Sequence, residues 1–123
     1  MDTSTASNFV GLLFLARDIA HIFHLSSHSY AEHMALNEFY DEIVDVADDF
    51  CECYQGYYNT LLAPPLINND QKGNIIDILD GQMKWIEANR EAIVPRTNTA
   101  LHNIIDEGVS IYSKTLYKLR FLH

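Results

Sequence analysis

Basic residues are scarce in this chain: eight Lys and Arg stand against 17 Asp and Glu in 123 residues, for a formal charge of −9. Tight, sequence-independent binding to nucleic acid needs Lys and Arg on phosphates, and a field of this sign repels a polyanion. The basic residues that cluster, Lys114, Lys118 and Arg120, read as a solvated helix face. Cysteine is confined to Cys51 and Cys53. Two positions apart on a helix, they point in different directions and form neither a shared metal clip nor an unstrained disulfide. Reduced thiols in a cytosolic protein are expected. Long hydrophobic runs are missing too. The apolar stretch Phe9 to Ala16 is soon interrupted by Arg17 and Asp18 and reads as too short to span a bilayer. The opening MDTSTASN lacks the positive charge of a secretory signal. There is no Gly-x-Ser-x-Gly elbow, no glycine-rich phosphate loop and no Glu-x-x-His pair. Those absences remove the sequence support for an activated serine, for nucleotide binding and for a di-iron centre inside a bundle.

What is present is helical. Hydrophobic residues make up 48% and charged residues 20%, a balance that suits one globular domain. Four segments show helical spacing of apolar positions. The first runs from about Ser7 to Leu25 with Thr5 or Ser7 as its cap, and the second from about Ser29 to Tyr54. Ser29-Tyr30-Ala31-Glu32 reads as a capping box. The third spans about Asn69 to Ile93, ended by Pro95, and the fourth about Asn98 to Leu122, with Thr97, Asn98 and Thr99 offering caps. The short turns at Ser26–His28 and Pro95–Thr97 predict two antiparallel hairpins. Between them, residues 56–68, stiffened by Pro64-Pro65, can reach roughly 40 Å, about the length of the second helix. The expected fold is therefore an all-α, ferritin-like four-helix bundle in which a long crossover joins the hairpins.

Four of the six histidines, His21, His24, His28 and His33, fall around the first turn, where the hairpin brings them near one another. Imidazole suits Fe, Zn and Cu. At about 100° per residue, Asn37, Asp48 and Glu52 share with His33 a sector of roughly 100° on the second helix. Asp48 and Glu52 face the same side one turn apart, which is mildly unfavourable unless a cation bridges them. Carboxylates with neutral imidazoles are a usual ligand set for iron. The plainer reading is a solvated acidic face, since Glu42, Asp45 and Asp49 lie nearby. A second group, Glu87, Glu91, His102, Asp106 and Glu107, reads as surface pairing.

The stretch His21 to Glu52 resembles the miniferritins, the Dps-type branch of the ferritin-like superfamily. Their ferroxidase motif is two His, an Asp, and then an Asp and a Glu at fixed spacing. His21, His33, Asn37, Asp48 and Glu52 match it without a gap, with Asn37 standing where the family has Asp. The wording SYAEHMALNEFYDE and the ending TLYKLRFL resemble short ferritin-like proteins of tailed phages. The resemblance implies a homo-oligomer, from dimer to dodecamer, in the host cytoplasm. It implies iron held at a two-fold interface, with His21 and His33 from one subunit and Asp48 and Glu52 from its mate. Fe(II) would be oxidised there and ferric iron stored in an oligomeric shell. His24 is an alternative ligand to His21, and Asp41 to Asn37. The basic DNA-binding tail of some family members is absent. The alternative expectation is a non-enzymatic phage bundle, structural or host-interacting, that kept the fold and lost the metal chemistry.

Overall fold

The computed structural model describes residues 2–70 and 72–123. They form α1 (Ser4–Ser26), α2 (Tyr30–Tyr58), α3 (Ile75–Ile93) and α4 (Thr99–Phe121), with no strand among the described residues.

Local chemistry sets the helix ends. Ser29 caps α2, its side chain accepting from the Glu32 N–H at 3.3 Å. Asn98 caps α4 in the same way for Leu101 N–H, at 3.1 Å. Three boundaries differ from expectation. Thr5 and Ser7 lie inside α1, which starts at Ser4 with the Asp2 carboxylate accepting from the Ser4 N–H. The second helix continues to Tyr58 because Asn59 supplies the left-handed stop at φ 51°. The third begins at Ile75, six residues later than expected. Gly73 at φ +125° breaks the helical path, and Asn74 then caps, accepting from Asp77 N–H at 2.9 Å.

Direct contacts fix the helix directions. Asn98 at the start of α4 donates to the Tyr58 hydroxyl at the end of α2, at 3.0 Å. At the opposite end Lys118 pairs with Glu38. So α2 and α4 are antiparallel. Arg90 with Asp106 at 2.5 Å, and Arg120 with Asp80 at 3.4 Å, make α3 and α4 antiparallel as well. It follows that α2 and α3 run in the same direction. They sit diagonally, and the neighbours around the bundle are α1–α2, α2–α4, α4–α3 and α3–α1. The expected crossover is therefore real, and the connectivity is the ferritin-like one.

Residues 59–74 make that crossover. Gln55 Oε1 accepts from Leu62 N–H at 2.9 Å, turning the chain off α2. Ser7 Oγ then accepts from Ala63 N–H at 3.1 Å, docking it on the first turns of α1. At Gly11 a Cβ would lie 2.8 Å from the Pro65 carbonyl oxygen, so glycine is what permits this approach. From there Pro65 to Ile67 pass along Phe14, Leu15 and Arg17.

Large side chains fill the core: Phe9, Leu13, Leu36, Phe39, Phe50, Leu79, Ile86, Ile105 and Tyr112 are at most 1% exposed. Each contributes about 1.5–3 kcal/mol by burial. Phe9 meets Phe50 edge-on at 4.8 Å, and Phe39 meets Tyr112 at 5.0 Å. The expectation that the first segment is too short for a bilayer needs correction. As a 23-residue helix, α1 is long and apolar enough to cross one, with a mean hydropathy of 1.4 over 18 residues. Here Phe9, Val10, Leu13, Ala16 and Ala20 are buried by the other helices. Ile22, Leu25, Tyr30, Phe121 and Leu122 remain exposed at the bundle end where α1 finishes.

Candidate functional site

The α1–α2 turn is closed by two histidines. His24 Nδ1 lies 2.6 Å from the His33 carbonyl oxygen, and His33 Nδ1 lies 2.9 Å from that of His24. A carbonyl only accepts, so both Nδ1 atoms carry protons, and in the neutral rings Nε2 keeps the lone pair. The rings stack with centroids 3.6 Å apart. An imidazole anchored through Nδ1–H to a backbone carbonyl has the outer-shell support typical of a metal ligand. His24 is buried and His33 half-buried.

His21 joins this group through Tyr40. Their rings stack at 4.3 Å, and Tyr40 also meets His24 edge-on at 5.3 Å. The Tyr40 hydroxyl donates to Asn37 Oδ1 at 2.7 Å, and Asn37 Nδ2 donates to Asp41 at 3.3 Å. The fold thus gathers His21, His24, His33, Asn37, Tyr40 and Asp41 into one patch. His28 is exposed in the turn. Tyr40 reads in the sequence only as an apolar-stripe position. Its place one turn beyond Asn37, on the sector of His33, was the available signal.

Asp48 and Glu52 are exposed on α2, about 22 Å and about 28 Å from His33 along the helix axis. Within one chain they do not converge with the histidines. Among the described residues no group of three or more His, Cys, Asp or Glu is arranged to hold a metal ion. Between these two carboxylates lies Cys51. Burial, with Asp48 and Glu52 adding to it, raises its thiol above the ordinary range, so it stays protonated. Both cysteines are free.

The second acidic group is occupied by a guanidinium. Arg90 bonds Asp106 at 2.5 Å and Glu87 at 3.0 Å, with His102 Nδ1 at 3.5 Å. Partial burial disfavours the Arg90 charge, but the hydrogen bonds to Asp106 and Glu87 outweigh it and raise its proton affinity. His102 Nε2 is 3.2 Å from the Val94 carbonyl, and Glu91 pairs with Arg96. Of the basic cluster, Lys118 and Arg120 form the interhelical pairs with Glu38 and Asp80.

The chain is 35% identical over 63 residues to the "Uncharacterized 14.6 kDa protein in mobD-ri intergenic region" of Enterobacteria phage T4. That stretch is 51% of this chain and 49% of the relative, so the match spans about half the relative's length. No solved structure matches the chain. A family model matches residues 24–119, which takes in His24, His33, Asn37, Asp48 and Glu52 and leaves His21 outside. The chain therefore belongs to DUF5856, described as a family of unknown function.

Proposed function

We propose that the protein binds ferrous iron at a two-fold contact between the α2 helices of two copies, and oxidises it there. The observation that carries this reading is the register of α2. The midpoint of His33 and Glu52 falls between Glu42 and Ile43, and so does the midpoint of Asn37 and Asp48. Two α2 helices packed antiparallel about that point set His33 beside Glu52 of the second copy, and Asn37 beside Asp48. The contact creates two equivalent sites about 22 Å apart. The histidine patch supplies imidazole Nε2 lone pairs, and the second copy supplies hard carboxylates. Two Fe(II) ions give one electron each to hydrogen peroxide, which takes up two protons and leaves as water. The carboxylates offset the charge gained by the metal.

Charge makes the contact depend on the cation. Asp41, Asp48 and Glu52 are exposed on the shared sector of α2, and Asp45 is exposed beside it. Two such faces repel unless divalent ions sit between them. Anaerobic Fe(II) titration followed by sedimentation is expected to roughly double the mass from 14.1 kDa. Glu52→Ala should abolish that shift and the ultraviolet signal of ferric iron formed on adding peroxide. Asp49→Ala, off the shared sector, should leave both unchanged. Identical behaviour of wild type and Glu52→Ala removes the site.

A second reading is a bundle without metal chemistry that docks on another protein. The engagement of Asn37 Oδ1 by the Tyr40 hydroxyl and the exposed apolar bundle end favour it. A mass that ignores Fe(II) at every concentration would select this reading.

A further inference from the structure

Exposed apolar side chains gather at the bundle end where α1 and α4 finish and α2 starts. Ile22, Leu25, Tyr30 and Phe121 are between 65% and 78% exposed there, and Met34 and Leu122 are exposed as well. At 1.5 Å per residue, all six lie within about 6 Å of a helix end along the axis. The crossover runs along the outer side of α1 only as far as Asp18 and leaves Ile22 and Leu25 bare.

Charge is sorted along the same axis. Residues 19–31 contain no Asp, Glu, Lys or Arg. Around this end stand Lys72, Lys114, Lys118 and Arg120, half of the eight basic residues. Lys72 and Lys114 have no ion pair among the described residues. The carboxylates here are Glu32, Asp70, Asp77 and Asp80. Asp80 is held by Lys84 and Arg120, and Asp77 accepts from Asn74 Nδ2. The end is thus close to neutral, and the surplus that makes the chain −9 lies on the rest of the bundle. From Asp41 onward the carboxylates of α2 are about 16 Å or more from Tyr30, past the roughly 8 Å over which salt screens exposed charge.

We propose that this end docks on an anionic lipid surface, its rim dipping into the headgroup layer while α1 stays packed in the bundle. Shape, depth and charge select that occupant. The apolar side chains sit on three helices around a rim. A fluid layer envelops such a rim, whereas a rigid protein partner covers one side of it. Their depth of about 6 Å suits the 5–10 Å to which apolar faces enter a bilayer interface. Tyr30 adds a ring with a polar tip, suited to the headgroup level. Lys114 lies about 10 Å back along α4 from Phe121, where its ammonium reaches headgroup phosphates. The remaining surface meets an anionic layer with surplus carboxylates, so charge orients the molecule with this end inward.

The test is flotation of the full-length protein with vesicles, in chelator, so that the outcome does not depend on the iron reading. Vesicles of phosphatidylcholine with about 30% phosphatidylserine should carry the protein upward at least about threefold better than phosphatidylcholine alone. Leu25→Glu places a carboxylate in the rim and should weaken binding about tenfold. Lys114→Glu should weaken binding to the serine-containing vesicles and not to phosphatidylcholine. Leu61→Glu, equally exposed at the opposite end, should change nothing. These are exposed positions, so circular dichroism should stay helical in all three variants. Failure to float with either vesicle overturns the proposal. So does an equal loss in Leu61→Glu, or unchanged binding of Lys114→Glu to the serine-containing vesicles. A metal-free mass of two copies that Leu25→Glu returns to one also overturns it, because the end is then covered by a second chain.

Discussion

His24 and His33 hold the first turn by a reciprocal exchange, each ring donating to the backbone carbonyl of the other residue. Removing either ring takes away one of the two donations and leaves the other ring without its stacking partner. His24→Ala is therefore expected to lower unfolding free energy by about 2–3 kcal/mol in urea titration. His21 is exposed and held by ring contacts with Tyr40 and His24, so His21→Ala should cost less than about 1 kcal/mol. Equal losses would mean that the exchange is not what fixes the turn. Asn37 is the residue at which the iron reading is most exposed to test. Asn37→Asp replaces a neutral amide oxygen by a carboxylate, and calorimetry should then show Fe(II) binding about tenfold tighter. Unchanged or weaker affinity would count against Asn37 as a ligand position. Tyr112 responds to pH instead. Burial pushes its phenol far above the ordinary value, so the folded chain keeps the proton that the unfolded chain releases near pH ~10. Its contribution is complete below that pH and declines as pH climbs toward the folded value. Thermal melts should therefore fall steadily above about pH 10, and less so in Tyr112→Phe.

Each helix was legible from its apolar stripe, and two of the four starts from their capping side chains. The remaining errors sit where one backbone angle decides. Nothing in the pattern of residues 69–73 shows that Gly73 adopts a left-handed angle, and Asn59 extends α2 by the same kind of local choice. The crossover was legible as a length and not as a path. Its docking on α1 depends on Gly11, which in sequence is an unremarkable helix glycine. Gly11→Ala must push Pro65 aside and should cost about 1–3 kcal/mol in a thermal melt. Gly56→Ala meets nothing within 4 Å and should be neutral or stabilise by up to about 1 kcal/mol. If both substitutions behave alike, the close approach at Pro65 carries no weight.

For the molecule as a whole, the histidine patch was readable because a hairpin makes neighbours of residues close in sequence. Asp48 and Glu52 were readable because helical period puts them on one side. The sequence alone did not reveal that Tyr40 organises the patch or that Arg90 sits among the other carboxylates, since both depend on side chains meeting across helices. The contact between copies lies outside the fold of one chain altogether. If it forms as proposed, metal should strengthen it and a chelator should return it to single chains, as light scattering would register. Added salt should weaken the repulsion and permit some metal-free association.

The crossover has one more implication. The helices of each hairpin are joined by a short turn, whereas only residues 59–74 link one hairpin to the other, and Leu66, Asn68 and Asp70 along them are exposed. Severing the backbone there would leave both halves gripping each other through Phe39 against Tyr112, Asn98 on Tyr58 and Lys118 with Glu38. Two separately expressed fragments should then find one another and reassemble, a complementing pair whose rejoining could be timed by mixing.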